Sequence, residues 1–126
     1  MRLLLDTHAL IWALEEPERL SARARTAIGA EDAEVFVSVV SPWEMAIAKS
    51  RGRLRVPDDL ESQLGQKRFD LLPVLLRHAA AVESMPHYHR DPFDRMLVAQ
   101  AQVDGLTIVT ADRKLRDYPV ALFPAI

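Results

Sequence analysis

The opening stretch Leu3-Leu4-Leu5-Asp6 constrains the fold more than any other feature: a continuous apolar run that ends in an acid. A run this short, with no polar alternation, suits a strand buried on both faces, as in the middle of a parallel sheet. Asp6 stands at its carboxyl end, and open α/β sheets bind ligands at the carboxyl ends of their strands. Thr7 to Leu14 reads as a helix, so Asp6 can equally serve as that helix's N-cap. Taken alone, the residue leaves the two readings level. The choice depends on whether other acids recur in the same setting.

They do, because strands and helices keep alternating along the chain. Pro17 ends the first helix. Ser21 then caps a helix to about Gly29, with Ala24, Ala27 and Ile28 as candidate buried positions. Glu34 to Ser38 is a β-branched and aromatic run that reads as a second strand, and Val39 and Val40 are candidates to extend it. Ser41-Pro42-Trp43-Glu44 reads as a helix start, with serine as N-cap, proline at the first helical position and a glutamate three residues on. That helix runs to about Arg51, where Gly52 can close it. Asp59 to Lys67 is a shorter helix and Asp70 to Val74 a brief strand. Leu75 to Met85 is a helix whose apolar side is expected at Leu76, Ala79, Ala80 and Val82. After Pro86, the loop residues 87–90 lead into Asp91-Pro92-Phe93-Asp94, a second cap-and-proline start, and a helix to about Asp104 stopped by Gly105. Leu106 to Thr110 is a third clear strand, Asp112 to Asp117 a helical turn, and Val120 to Phe123 a last strand. Alternation of this kind predicts βαβ units in one domain spanning 1–126, with a mainly parallel sheet covered on both faces.

At 126 residues and 49% hydrophobic, such a domain can bury its own core. The chain contains no cysteine, which excludes disulfides, thiolate metal sites and a cysteine nucleophile. No apolar run approaches a membrane span and no secretory leader is evident, so a soluble, cytoplasmic protein with no membrane association is expected. With 16 Lys plus Arg against 18 Asp plus Glu, the formal charge is -2. Any nucleic-acid contact must therefore come from local basic patches.

Asp6, Glu44, Asp94 and Asp112 each lie at or just inside a predicted helix start, and three of them follow a predicted strand within a few residues. Parallel strands point one way, so the acids that follow them gather at one edge. Each has a bland reading as a cap or as a dipole-favoured acid in a first turn. The helix faces weaken that reading. Asp94, Leu97, Val98 and Ala101 are spaced i, i+3, i+4, i+7, and Glu44 shares a side with Ile47 and Ala48. Two like charges ~5 Å apart at an effective dielectric of ~20 repel by roughly 3 kcal/mol, so four carboxylates in one pocket need protons or a cation. Oxygen-only ligands select a hard ion, Mg²⁺ or Mn²⁺. Zinc would need nitrogen or sulfur ligands, and His8, His78, His87 and His89 show no zinc spacing; His87 and His89 read as loop residues without a metal role, with contact to a ligand as the alternative. An acidic cluster holding Mg²⁺ suits phosphodiester hydrolysis.

Four motifs in order, Leu4-Leu5-Asp6-Thr7-His8, Ser41-Pro42-Trp43-Glu44, His89-Arg90-Asp91-Pro92-Phe93-Asp94-Arg95 and 106–112 (Leu-Thr-Ile-Val-Thr-Ala-Asp), resemble the PIN-domain nucleases, and more closely the VapC-type toxins of bacterial toxin–antitoxin pairs. The resemblance covers essentially the whole chain. It implies a three-layer α/β/α fold with a five-stranded parallel sheet and a Mg²⁺- or Mn²⁺-dependent endoribonuclease. It implies a cognate antitoxin as partner, and a homodimer that forms a hetero-oligomer with it. Asp6, Glu44 and Asp94 match the family's acidic metal positions, Asp112 the fourth and more variable one, and Thr110 a small hydroxyl residue beside them. Asp91 matches a further acid, which reads here as a helix cap. Thr7, Thr110, Arg95, Lys49, Arg51 and Arg53 are the candidate substrate contacts, with Arg95 pairing an acid or facing the phosphate. The basic run 49–55 is either an RNA-phosphate surface or a solvated helix end. Trp12 and Trp43 offer apolar contact surface or fill the core. Two other classes share parts of this pattern: a receiver-like signalling domain with an acidic Mg²⁺ pocket, and a non-catalytic PIN-like scaffold. The first strand ends in one acid and not an adjacent pair, which disfavours a receiver. Retention of all four acids disfavours a scaffold.

Overall fold

In the computed structural model, which describes residues 1–54 and 56–126, five parallel strands form one sheet in the order β3-β2-β1-β4-β5. The strands are β1 (Arg2–Leu5), β2 (Glu34–Ser38), β3 (Asp70–Leu72), β4 (Thr107–Thr110) and β5 (Leu122–Pro124). Six helices connect or flank them: α1 (Thr7–Glu15), α2 (Ala22–Gly29), α3 (Val40–Ser50), α4 (Leu60–Gln66), α5 (Leu76–Val82) and α6 (Pro92–Asp104). Leu3, Leu4 and Leu5 are fully buried, as a central strand requires. Their side chains alternate between the two faces. Leu3 and Leu5 join Val35, Val37 and Val109 in a core that also takes Ala9 and Leu10 of α1, Ala24 of α2, Met45 of α3 and Leu64 of α4. Leu4 and Ile108 face a second core, filled by Leu97, Val98 and Ala101 of α6. The result is the expected three-layer α/β/α arrangement.

The topology fixes where a ligand can enter. From β1 the chain steps outward to β2 and β3, then crosses to β4 on the other side of β1 and continues to β5. The direction of winding therefore reverses between β1 and β4, and such a switch point leaves a crevice at the carboxyl ends of those strands. Asp6 follows β1 there and Asp112 follows β4. The Asp6 N–H donates to the Val109 carbonyl at 3.1 Å, so Asp6 is the last rung between the two strands.

Four elements differ from the sequence expectations. Val39 and Val40 do not extend β2. Val39 is already in the helical region, and α3 begins at Val40, whose N–H is taken by the Ser38 hydroxyl at 3.1 Å. Ser41 is therefore not the N-cap; it is a buried residue of the first turn. Pro42 is the third helical residue, and its missing N–H costs little where helical N–H groups lack intrahelical partners anyway. On α5, Leu76 is 86% exposed and Ala79 and Ala80 face solvent, while His78 is fully buried with Ala81 and Val82 packed beside it. His78 can be buried because its ring is satisfied: Nδ1 accepts the Leu75 N–H at 3.0 Å and Nε2 meets Asp104 Oδ2 at 2.9 Å. A reading that counted only apolar residues placed Val82 correctly but took three exposed residues for the buried side and missed His78. β3 and β5 are three residues each, and β5 starts two residues later than expected. No described helix is long and apolar enough to cross a membrane.

Candidate active site

Asp6 is 6% exposed and does cap α1, accepting the Ala9 N–H at 2.7 Å. The cap does not exhaust its role. The Thr110 hydroxyl lies near enough to favour its charged form, and the charge of Asp112 reaches it from the neighbouring strand end. Burial pushes the Asp6 carboxyl above the usual carboxylate range; Asp112 adds to that, and Thr110, Ala9 and His8 oppose it. Thr110 links both strand ends, because its Oγ1 also accepts the Asp112 N–H at 2.9 Å.

Glu44 enters from α3, which packs against both α1 and α6. The Thr7 hydroxyl donates to Glu44 Oε1 at 2.7 Å, and Thr7 Oγ1 lies 3.0 Å from the buried Ser41 hydroxyl. Thr7 has one proton, and the short contact to a carboxylate takes it, so Ser41 supplies the proton of the longer bond. The misread Ser41 is thus part of a buried relay, Ser41 to Thr7 to Glu44.

Asp94 comes from the first turn of α6. Asp91 caps that helix as expected, accepting N–H groups of Phe93 at 2.8 Å and Asp94 at 3.4 Å. Asp94 is pushed up to about 7, first by burial and then by the charges of Asp91, Glu44 and Asp6, with His89 working in the other direction. Asp112 is more open. Burial alone would raise it, but the Lys114 N–H, the His89 ring and the Lys114 charge outweigh that and hold it below the usual carboxylate range. The four predicted acids are not equally close: Asp94 and Asp112 belong to one tight group with His89, while Asp6 and Glu44 act on Asp94 by their charges and Asp6 also feels that of Asp112.

His89, expected from sequence as a loop residue without a metal role and with ligand contact as the alternative, sits beside Asp94 and Asp112. Its Nε2 lies 3.1 Å from Asp112 Oδ2 and 3.3 Å from Asp94 Oδ2. Its Nδ1 accepts the Asp91 N–H at 3.1 Å, which places a lone pair there and the ring proton on Nε2, between the two carboxylates. One ligand atom from each of His89, Asp94 and Asp112 lies within 4.8 Å of the others. The signal available in the sequence was spacing: a histidine two residues before a helix cap can take the cap's own N–H and turn its far nitrogen toward the first turn.

The remaining candidates divide. Thr7 and Thr110 are in the site. Arg95 is not a phosphate contact and pairs with no acid among the described residues. Buried to 8% exposure, its guanidinium donates to the carbonyls of Pro86 at 2.7 Å, His89 at 3.5 Å and Met85 at 3.5 Å, and to the Tyr118 hydroxyl at 3.2 Å. It ties down the loop that presents His89. Lys49, Arg51 and Arg53 lie at the other end of α3 from the rim, and Lys49 is engaged by Asp58 at 2.7 Å; Arg55 of the same run is outside the described residues. Trp12 is half-buried with the Arg19 guanidinium 4.9 Å from its ring centre, whereas Trp43 is 60% exposed, with its edge against Phe93.

The donor chemistry fits a hard divalent cation: Asp94 and Asp112 bring carboxylate oxygens close enough to share one, with the charges of Asp6 and Glu44 in reach of Asp94. Comparisons with known proteins bear on the family and the fold. The PIN domain family's sequence profile matches residues 3–121. The chain belongs to the PIN domain family. Among individual PIN proteins, it is 33% identical over 120 residues to Ribonuclease VapC22 of Mycobacterium tuberculosis, covering 91% of this chain and 90% of that protein. The fold is similar to that of VapBC2 from Rickettsia felis, solved bound to a DNA fragment from its promoter, with a TM-score of 0.75 at 15% identity and 98% of each chain covered. It is also similar to FitAcB from Neisseria gonorrhoeae, with a TM-score of 0.69 at 23% identity, covering 98% of this chain and 97% of that one. Neither the receiver-domain nor the scaffold reading gains from these matches.

Proposed function

We propose that this PIN domain is an endoribonuclease that hydrolyses RNA phosphodiester bonds at the Asp6–Glu44–Asp94–Asp112 cluster, and that it acts as the toxin of a toxin–antitoxin pair. The observation that carries the reading is the crowding at Asp94, a carboxylate raised to about 7 by burial and by three neighbouring acids. An arrangement so unfavourable for its own charges is explained by a ligand that needs them. The four carboxylates would hold Mg²⁺ or Mn²⁺, and a bound ion of this kind lowers the pKa of water and offsets charge developing on the phosphoryl oxygens. The chain's own residues set the geometry. Thr7 fixes Glu44, Thr110 holds the Asp112 backbone and favours the charged form of Asp6, and His89 spans Asp94 and Asp112.

The similarity to a protein named as a ribonuclease supports RNA as the substrate, and the VapBC likeness supports a protein antitoxin as partner. We further propose a homodimer that assembles with the antitoxin into a hetero-oligomer, in the cytoplasm with its substrate. The test is incubation of purified protein with an end-labelled RNA pool, with Mn²⁺ and with a chelator in parallel. Cleavage that needs the metal and disappears in a folded Asp94→Asn variant is expected. Equal cleavage by Asp94→Asn, or none by the wild type, overturns the reading. Growth arrest on expression, relieved by co-expressing the neighbouring small gene, tests the toxin role.

A further inference from the structure

Two open clefts meet at Asp112. One, of about 330 Å³, is lined by Arg113, Arg116 and Phe123 among others; the second, of about 410 Å³, is lined by Asp6, His8, Trp12 and Arg19. Ala111 and Asp112 belong to the walls of both, so the two clefts form one groove that runs past the acidic cluster. Its two arms differ chemically. On one side, an indole is paired with a guanidinium, Arg19 standing 4.9 Å from the centre of the Trp12 ring. On the other, Arg113 and Arg116 project from the turn after Asp112, exposed and without an ion-pair partner among the described residues.

A polyanion is repelled by four carboxylates unless cations flank them. This groove supplies such cations on both sides of Asp112: Arg113 and Arg116 on one, and on the other Arg19, which stands over Trp12 with Glu16 3.5 Å away. Lys49, Arg51 and Arg53, the other basic candidates, lie at the far end of α3, and Lys49 is engaged by Asp58. Resting on the nuclease reading above, we propose that the groove is the track for single-stranded RNA: a base stacks on the Trp12–Arg19 pair on one side of the cluster, and Arg113 and Arg116 hold phosphates on the other. An aromatic–guanidinium platform requires an unstacked base, which a duplex does not offer and a single strand does. Phosphate contacts of this kind position the strand without reading its sequence. The Trp12 arm is where any base preference arises.

The test measures fluorescence anisotropy of a short labelled single-stranded RNA in an Asp94→Asn background, where cleavage does not interfere. Arg113→Ala with Arg116→Ala is expected to weaken binding about tenfold and to lower the salt-dependence slope by about 1.4, at about 0.7 per neutralised phosphate of a single strand. Lys49→Ala, Arg51→Ala and Arg53→Ala together are expected to change affinity less than twofold. RNA is expected to quench Trp12 emission in a Trp43→Phe background, and Trp12→Leu to weaken binding about tenfold. Calorimetric Mn²⁺ binding by the double arginine variant, with Asp94 restored, should match the wild type, since both arginines lie outside the carboxylate set. Unchanged RNA affinity in the double arginine variant, or an equal loss in the α3 triple variant, overturns the track. If the wild type cleaves RNA while the double arginine variant binds normally, the track alone fails. If the wild type neither cleaves nor binds RNA, the nuclease reading fails with it.

Discussion

Asp94 couples pH, metal and stability at a single side chain. Its carboxyl sits at about 7 in the folded chain against an ordinary value of 3.8. Between those values the folded state holds a proton that the unfolded state has released, so metal-free stability falls as pH rises through that window and levels off above it, by a few kcal/mol at most. Asp94→Asn removes the charge that causes the loss. In a chelator at about pH 8, it is expected to melt higher than the wild type; Mn²⁺ narrows that gap, because a cation that binds only the folded wild type stabilises it by about 2.7 kcal/mol at a hundred times its dissociation constant. Cleavage should drop at least about a hundredfold. Metal binding must also displace the proton. Calorimetry at about pH 6 in buffers of different ionisation enthalpy is expected to show about one proton released per Mn²⁺, falling toward none at about pH 8. A proton count that does not change with pH would show that Asp94 is not a ligand. Arg95 is the opposite kind of residue. Arg95→Ala leaves several buried carbonyls without a donor and is expected to cost about 3 kcal/mol in urea unfolding, while Arg95→Lys, a single point charge, recovers only part of it. Nothing in the sequence marks this arginine as structural, because its partners are backbone carbonyls brought in by the preceding loop.

At the level of elements, most of the chain was legible. The caps at Ser21, Asp91 and Asp112 and the glycine stop at Gly105, in the left-handed region at φ 68°, lie where the side-chain chemistry places them. The misplaced start of α3 and the misplaced face of α5 have a common cause: polar groups satisfied by tertiary contacts. Local pattern assigns a serine before a proline to a cap and a histidine to an exposed face, yet Ser41 is buried against Thr7 and His78 against Asp104. The α3 start matters for function, since it carries Glu44 to the rim. Thr7→Val keeps the shape and removes the donor to Glu44. It is expected to weaken Mn²⁺ binding by about tenfold, the range for losing a group that orients a metal ligand, while circular dichroism stays native. An unchanged affinity would reduce the Ser41–Thr7–Glu44 relay to a packing detail.

The whole molecule adds what no segment contains. The acids could be expected to share an edge once the strands were read as parallel, but the strand order, with its reversal between β1 and β4, brings Asp6 and Asp112 next to each other. His89 reaches them only because α6 packs on the same sheet. Beside the cluster lies an apolar groove of about 500 Å³, lined by Val39, Trp43, Val74, Val82 and Met96 among others, and Trp43 at its edge is 60% exposed. A contiguous apolar surface of this kind is unfavourable in water and marks an interface. The proposed homodimer would cover it, and a two-fold axis would seat each copy's Trp43 against the partner's groove, since such an interface uses one patch twice. Sedimentation equilibrium is therefore expected to give twice the 14.2 kDa chain mass for the wild type. Trp43→Arg should give the single-chain mass, with native circular dichroism, because the indole is exposed and its aromatic partner is Phe93. A Trp43→Arg protein that remains dimeric would move the interface elsewhere and leave this groove to the antitoxin.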